Sequence, residues 1–260
     1  MRDAMTTLTI SPIPAFSDNY IWLLHSSQEA FVVDPGEPEP VLNALSDIDA
    51  SLNGILVTHH HYDHTGAVES LKESTGCTVW GPYDSPAGPY DKLLQEGDTV
   101  SVLGVDFEVM SVPGHTLDHI AYFSASEGAL FCGDTLFVGG CGRVFEGSNK
   151  QMRASLEKLA ALNGDSRVFC AHEYTLANLQ FALRVEPQNQ ALQLAMESCQ
   201  AKRQRGEPTV PTTIAEERTY NPFLRWHSAE IRQVLMDEGL LEDDTHDGVF
   251  SAAREWKNRG

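Results

Sequence analysis

The chain has 260 residues, which is enough for one large domain or for a large domain followed by a smaller one. Its net charge of −19 repels phosphate backbones, so nucleic acid is not expected to be its main ligand. It contains no run of about 18 apolar residues, and residues 1–7 have no signal-peptide core. We therefore expect a cytoplasmic protein with no membrane partner.

The cysteines are odd in number and form no Cys-x-x-Cys pair. They are Cys77, Cys132, Cys141, Cys170 and Cys199. This pattern predicts reduced, mostly buried thiols rather than a disulfide framework.

The first part of the chain alternates β-type runs with helix signals. Apolar, β-branched runs predict strands at residues 8–10, 20–24, 30–33 and 54–57. A helix is predicted over residues 38–45. The third strand ends in Asp34-Pro35-Gly36, which has strong turn chemistry. Asp34 fits two interpretations, a plain turn aspartate or a carboxylate that supports a ligand histidine.

The strand at 54–57 leads into a loop that is rich in metal-ligand residues. Four such residues, His59, His61, Asp63 and His64, lie within six positions, and a helix is predicted to begin near Val68. His59 and His61 lie on one side of an extended backbone, so they can converge on one cation. Asp63 and His64 stand at the helix start and can face a second cation. The alternative is a polar loop whose histidines are coincidental.

Later β-runs end in further candidate ligands. Strands are predicted at residues 78–80, 99–103, 105–112, 119–123, 129–132 and 167–170, with a Pro/Gly-rich loop at 81–89. His115 follows the strand at 105–112 and is a candidate third ligand for the first metal. Asp134 follows the strand at 129–132, and its two carboxylate oxygens could bridge two cations. The last of these strands delivers His172, whereas His119 is expected to be structural.

These motifs resemble a known superfamily. Thr-His-x-His-x-Asp-His, Pro-Gly-His-Thr, Gly-Asp-Thr and a late strand-end histidine are similar to the metallo-β-lactamase fold. Within it the chain most resembles the hydroxyacylglutathione hydrolases, or glyoxalase II. That closer likeness rests on residues 133–147 (GDTLFVGGCGRVFEG), 170–175 (CAHEYT), 221–225 (NPFLR) and 254–257 (REWK).

The resemblance implies an α+β protein with two domains. Residues 1–173 would form a metallo-β-lactamase-type αββα sandwich, and residues 174–260 a smaller, all-helical, substrate-binding domain. The residues alone agree, because apolar spacing turns helical after Tyr174 and strand signals stop there. A Pro-containing linker between helices is predicted at residues 207–211.

The resemblance also implies two divalent metal ions per chain. His59, His61 and His115 would hold the first ion, Asp63, His64 and His172 the second, and Asp134 would bridge both. Zinc is expected, and the donor set also suits iron or manganese. Asp63 and Asp134 are the implied catalytic residues, and the implied nucleophile is a hydroxide held between the two ions.

The implied reaction is hydrolysis of S-(2-hydroxyacyl)glutathione, typified by S-D-lactoylglutathione, to a 2-hydroxy acid (D-lactate) and glutathione. This is the second step of methylglyoxal detoxification. A thiolate leaving group has a pKa of about 8 to 9, so it needs little help from a general acid. The expected partner is therefore a small-molecule thioester, and the expected state of the protein is a monomer.

The resemblance places glutathione against Arg143, Phe145, Tyr174, Arg254 and Lys257. Arg and Lys can pair with its two carboxylates, and residues 174–260 hold 10 of the 18 basic residues. The family more often has lysine at position 143 and tyrosine at 145. Because phenylalanine lacks the tyrosine hydroxyl, we expect weaker glutathione affinity here. For Arg254 and Lys257 the alternative is a solvated helix face.

Three other functions are compatible with part of this pattern. A persulfide dioxygenase of the same superfamily would hold one iron, whereas this chain has a complete second ligand set. An RNA-processing nuclease would need a basic path for RNA, which the acidic charge argues against. A non-catalytic metal-binding scaffold would have no use for a bridging carboxylate.

Overall fold

The computed structural model describes residues 8–88 and 90–260, so the expectations at residues 1–7 and at Pro89 lie outside the described chain. In chain order its strands are β1 (Thr9–Ala15), β2 (Asn19–His25), β3 (Glu29–Val33), β4 (Ser51–Leu56), β5 (Thr78–Pro82), β6 (Lys92–Leu94), β7 (Thr99–Val102), β8 (Val105–Ser111), β9 (Ile120–Ser124), β10 (Ala129–Gly133), β11 (Leu136–Phe137), β12 (Gly140–Cys141), β13 (Arg167–Cys170) and β14 (Thr212–Thr213). Its helices are α1 (Pro38–Asp47), α2 (Tyr62–Thr65), α3 (Val68–Thr75), α4 (Asn149–Ala160), α5 (Thr175–Val185), α6 (Gln190–Gln204), α7 (Ile214–Tyr220), α8 (Ala229–Asp237) and α9 (His246–Arg259), with a 3₁₀ turn at Pro222–Leu224.

The chain folds as two compact units. Unit 1 contains the described residues up to Ser111 together with Asp118–Gly133. Unit 2 contains Val112–Leu117 and Asp134–Gly260. The predicted domain boundary at residue 173 stays a prediction. Across the described residues, no helix combines the length and apolarity that a bilayer crossing requires.

The first sheet of unit 1 has the strand order β1-β2-β3-β4-β5-β6. Its first three strands are antiparallel, and β3 to β6 run parallel. Parallel neighbours need long crossovers, and α1 and α3 lie in the crossovers on either side of β4. The core beneath these helices contains Val41 and Leu71, packed with Ile55 and Val79 of the sheet and with Val57 just after β4. Every β-run predicted in this part of the sequence is present, with ends displaced by a few residues.

A second set of strands in unit 1, β7 to β10, is antiparallel throughout. Its inner face is aromatic, with Phe107 and Phe131 rings 5.8 Å apart. Trp22 of β2 lies 6.5 Å from the Phe131 ring, so the two sheets of this unit pack face to face. Helix, sheet and sheet thus form successive layers, as predicted for the first three layers of the sandwich.

Unit 2 contains helices α4 to α9, the short hairpin β11–β12 and the strand pair β13–β14. Strand β14 corrects the expectation that strands stop after Tyr174. Its two β-branched residues pair with Arg167 and Val168, a long-range contact that local spacing does not show. Helix α4 is not among the predicted elements, although Ser148 and Gln151 form a capping box at its start.

All five cysteines are buried thiols, as predicted. The predicted linker at residues 207–211 is irregular backbone between α6 and β14.

Candidate active site

In unit 1 the loop after β4 brings its candidate ligands together. His59 Nε2 lies 3.1 Å from His61 Nδ1, and His64 Nε2 lies 3.4 Å from Asp63 Oδ2. His59 and His64 are fully buried. Asp63 Oδ2 also accepts a hydrogen bond from Asn19 Nδ2 at 3.0 Å. The short helix α2 supplies this geometry, because it turns Asp63 and His64 away from the extended segment that carries His59 and His61.

Asp34 organises these histidines from the turn after β3. Its Oδ2 accepts from Thr58 Oγ1 at 2.7 Å and from His64 Nδ1 at 3.0 Å, and its Oδ1 accepts from Thr58 N at 2.7 Å. The residue has a left-handed φ of 55°. Both sequence interpretations of Asp34 therefore apply, since it is a turn residue that also supports a histidine.

The hydrogen bonds of Asp34 determine which ring nitrogens carry protons. A carboxylate can only accept, so His64 has a proton on Nδ1, and in the neutral imidazole the lone pair is on Nε2. Thr58 donates its single hydroxyl hydrogen to Asp34, so it accepts from His59 Nδ1 at 3.1 Å. His59 Nε2 then also has a lone pair. Thr58 was in the motif, but sequence reasoning gave it no role.

Thr58 is packed against Gly133 at the end of β10. Gly133 has a φ of 47°, and a Cβ there would lie 2.4 Å from Thr58 Oγ1 and 2.9 Å from the His119 ring. Glycine is required at this position by both its backbone conformation and the close approach. The ring centroids of His119 and His59 are 4.6 Å apart in a stacked arrangement, and His119 Nδ1 lies 3.0 Å from the Ile120 carbonyl oxygen. Both contacts are structural.

In unit 2 the Asp134 carboxylate lies between two histidines. Its Oδ2 is 3.4 Å from His115 Nε2, and its Oδ1 is 3.4 Å from His172 Nε2. All three residues are buried. His115 Nδ1 donates to the Arg143 carbonyl at 2.7 Å, which leaves the lone pair on Nε2 facing the carboxylate. One oxygen of Asp134 therefore faces each histidine.

The main chain around Asp134 is closely packed. A Cβ at Gly142 would lie 1.9 Å from the Asp134 carbonyl oxygen, so only glycine allows this approach. Gly142 N donates to Thr135 O at 3.3 Å, and Phe145 N donates to His115 O at 3.2 Å. These contacts fix the segment after Asp134 against the segment that carries His115.

These donor sets suit a divalent metal ion. At His64 and His115 an imidazole lone pair faces a carboxylate oxygen, and such groups repel unless a proton or cation lies between them. Imidazole nitrogens combined with carboxylate oxygens are the ligands that zinc, iron and manganese accept in proteins. Within each unit, the nitrogen and oxygen donors are therefore of the kinds that bind a divalent metal ion.

Three of the predicted substrate residues are at the surface of unit 2. Tyr174 stacks on the His172 ring at 4.6 Å with a 3° interplanar angle and is 39% exposed. Phe145 is 59% exposed, and its ring centroid lies 5.3 Å from that of His115. The Arg143 guanidinium lies 5.4 Å from the Phe145 ring centroid. Tyr174 and Phe145 therefore lie beside His172 and His115, and Arg143 lies beside Phe145.

Arg254 and Lys257 are not on a solvated helix face, so that alternative is wrong. Arg254 is 4% exposed and donates to the Cys141 carbonyl at 2.9 Å. Lys257 donates to Asn178 Oδ1. Burial, with a contribution from the Arg254 charge, lowers the pKa of Lys257 to about 7. Both cations lie over the Phe223 ring, at 5.0 and 5.8 Å.

Known protein families match both parts of the chain. A family model described as the metallo-beta-lactamase superfamily matches residues 15–172, and one described as the hydroxyacylglutathione hydrolase C-terminus matches residues 173–260. A hydroxyacylglutathione hydrolase of Albidiferax ferrireducens is 50% identical over 257 residues, covering 97% of this chain and 100% of that protein.

Solved structures agree. ETHE1 from Myxococcus xanthus is 26% identical with a TM-score of 0.65, and the match covers 96% of this chain and 99% of that one. TTHA1623, solved in a di-iron-bound form, is 25% identical with a TM-score of 0.59, covering 85% of this chain and 100% of that one. These matches confirm the predicted fold, a metallo-β-lactamase α+β fold with a helical C-terminal part. The chain therefore belongs to the hydroxyacylglutathione hydrolase, or glyoxalase II, family of the metallo-β-lactamase superfamily.

Proposed function

We propose that this chain hydrolyses S-(2-hydroxyacyl)glutathione thioesters to a 2-hydroxy acid and glutathione. The observation that carries the proposal is the Asp134 carboxylate, which presents one oxygen to each of two histidines. This arrangement occurs in a chain that is 50% identical, over nearly its whole length, to a protein named hydroxyacylglutathione hydrolase. S-D-lactoylglutathione is the substrate to test first, with D-lactate as the acid product.

The proposal includes two divalent ions, zinc first and iron or manganese as alternatives. The residues proposed to hold them are His59, His61 and His115 for one ion, Asp63, His64 and His172 for the other, and Asp134 for both. Within unit 2, one oxygen of Asp134 faces His115 and the other faces His172, which supports this set. A related chain was solved in a di-iron-bound form. When bound, such ions supply a hydroxide at neutral pH and polarise a thioester carbonyl.

The protein's own groups would bind and orient the tripeptide. Arg143, Arg254 and Lys257 offer cations to the two glutathione carboxylates, and charge-assisted hydrogen bonds are stronger than neutral ones. Phe145 and Tyr174 offer exposed aromatic surface beside His115 and His172. The thiolate product is a good leaving group near neutral pH, so the site needs no dedicated general acid.

We propose the second step of methylglyoxal detoxification, carried out in the cytoplasm by a monomer whose partner is the small-molecule thioester. Neither nucleic acid nor a membrane is part of the proposal.

The test is loss of thioester absorbance from S-D-lactoylglutathione, measured with the zinc-loaded protein. Two variants accompany it, His59→Ala at a proposed ligand and His227→Ala at an exposed histidine. We expect turnover in the parent and in His227→Ala, and its loss in His59→Ala. An inactive parent with zinc, iron and manganese would overturn the proposal. Oxygen consumption with glutathione persulfide by a protein holding one iron would instead identify the dioxygenase.

A further inference from the structure

The short hairpin β11–β12 begins two residues after Asp134 and ends one residue before Gly142. Its two strands share only two residue pairs, Leu136 with Cys141 and Phe137 with Gly140. Two-stranded hairpins of this length are not stable by themselves in water. The hairpin must therefore be held by other parts of the chain.

Polar side chains of the helical segments hold it. Glu217 Oε2 accepts from Gly139 N at 2.9 Å, and Asn178 Nδ2 donates to the Val138 carbonyl at 3.1 Å. Asn221 Nδ2 lies 3.1 Å from Phe137 O and 2.9 Å from Gly140 O. Four consecutive residues of the hairpin are thus bound through their backbone by three side chains.

Glu217 is the centre of this network. It is fully buried on α7, and its carboxylate also accepts from Asn221 Nδ2 at 2.8 Å and from Tyr220 Oη at 2.9 Å. No basic side chain is among these hydrogen-bond partners, which are a backbone amide, a carboxamide, a phenol and the side chain of Thr212. Burial is the main reason that the pKa of Glu217 rises to about 7. A buried acid of this kind carries a cost, which its bonds to the hairpin offset.

The hairpin connects this network to the candidate ligands. At one end it leads back to Asp134, and at the other it continues to Arg143, whose carbonyl accepts from His115 Nδ1 at 2.7 Å. Phe137 in the hairpin lies 5.9 Å from the His172 ring and 5.4 Å from the Tyr174 ring. A shift of the hairpin would therefore displace Asp134 at one end and, at the other, Arg143, whose carbonyl holds His115.

We propose that Glu217 is a positioning residue, which holds the β11–β12 hairpin so that Asp134 and His115 keep the geometry needed to bind a metal ion. The inference rests on the proposed function. Residues that support metal ligands typically change metal affinity or activity by about 10- to 100-fold when they are replaced.

Three full-length variants test this. Glu217→Ala removes the carboxylate, Glu217→Gln keeps its volume and one acceptor oxygen, and Glu197→Ala removes an exposed glutamate of α6. The readouts are zinc affinity by chelator competition, hydrogen exchange of peptides covering residues 134–145 in metal-free protein, and kcat/KM for S-D-lactoylglutathione.

We expect Glu217→Ala to bind zinc at least about 10-fold more weakly and to exchange faster in residues 134–145. Glu217→Gln should bind zinc about threefold more weakly than the parent, an intermediate effect, since one acceptor oxygen remains. Glu197→Ala should match the parent.

A Glu217→Ala protein that melts earlier, yet matches Glu197→Ala in zinc affinity and exchange, would overturn the proposal. If Glu217→Ala does not fold, a Glu217→Gln protein that matches Glu197→Ala in both readouts would overturn it too. Zinc affinity and hydrogen exchange are measured without substrate, so an inactive parent would reject the thioesterase and leave this test intact.

Discussion

The two units hold their candidate ligands in opposite ways. In unit 1 the ligands lie within the single segment 59–64, and one carboxylate, Asp34, orients two of the histidines through direct and Thr58-mediated bonds. In unit 2 His115, Asp134 and His172 are separated by whole strands and helices. Their geometry depends on backbone contacts such as the one between His115 and the Arg143 carbonyl. A contiguous motif can be supported by one residue, whereas a dispersed set needs the fold itself.

Among single substitutions, we expect Asp134→Asn to cause the largest loss of activity and metal binding. An amide cannot present an anionic oxygen to each histidine, so one end of the contact becomes a donor. We expect kcat to fall by at least about 100-fold and metal content to fall by about one ion per chain. Metal analysis and thioesterase kinetics measure both.

Asp165→Asn is the matched control for this change, because Asp165 is an exposed aspartate of the same unit. It should behave as the parent. If Asp134→Asn keeps both its metals and its rate, the bridging role of Asp134 is wrong.

The corresponding test in unit 1 is Asp34→Asn. Asparagine offers one acceptor oxygen where Asp34 accepts from Thr58 N, Thr58 Oγ1 and His64 Nδ1. The tautomer of His64 would then no longer be fixed, and we expect about 10- to 100-fold weaker metal binding, measured by chelator competition.

Asp49→Asn is its control, because Asp49 also has a left-handed φ, of 51°, but is exposed. Equal metal affinity in the two variants would mean that Asp34 acts only as a turn residue and that the support described for unit 1 is absent.

The same contrast explains what the sequence predicts. The β-runs, the helix at 38–45 and the ligand loop are local patterns, and the structure has all of them. The dispersed candidate ligands can be predicted because each follows a β-run, and strand ends are where a fold presents reactive side chains. The placement of Asp134 between His115 and His172 therefore agrees with the order of strands and motifs.

The supports of these ligands could not be predicted in the same way. Asn19 donates a hydrogen bond to Asp63, which is 44 residues away in the sequence, and no local pattern predicts that contact. Glu216 and Glu217 are adjacent in sequence, yet the first caps α7 and the second is fully buried. Arg254 looks like a surface residue of a terminal helix, but it is buried against Cys141. Such roles depend on packing between distant segments, which a single sequence does not show.

Lys257 gives a test within unit 2 that depends on pH. Its pKa is lowered to about 7 by burial, so it is cationic below that pH and becomes neutral as the pH rises through it. The glutathione carboxylates stay ionised over this range. We therefore expect KM to rise about five- to tenfold between pH 6 and pH 8.5, because the charge-assisted bond is lost.

Lys257→Met should have the higher KM at pH 6, should lack this rise and should therefore approach the parent at pH 8.5. Lys150→Met, at an exposed lysine of α4, should keep the rise. Steady-state kinetics over the pH range separates the variants. A rise that persists in Lys257→Met would assign the titration to another group and would remove Lys257 from the substrate site.

The smallest expected effect is that of Phe145→Tyr. Phe145 is 59% exposed and lies beside His115, so a hydroxyl can be added there without a packing cost. A new neutral hydrogen bond to the tripeptide is worth about 1 kcal/mol, which corresponds to a KM lower by about threefold to fivefold with kcat unchanged. Phe16→Tyr, at another exposed phenylalanine, controls for the added hydroxyl. If KM is the same in Phe145→Tyr and the parent, position 145 does not limit glutathione affinity. The site in unit 2 would then tolerate a change at its exposed edge that it would not tolerate at Asp134.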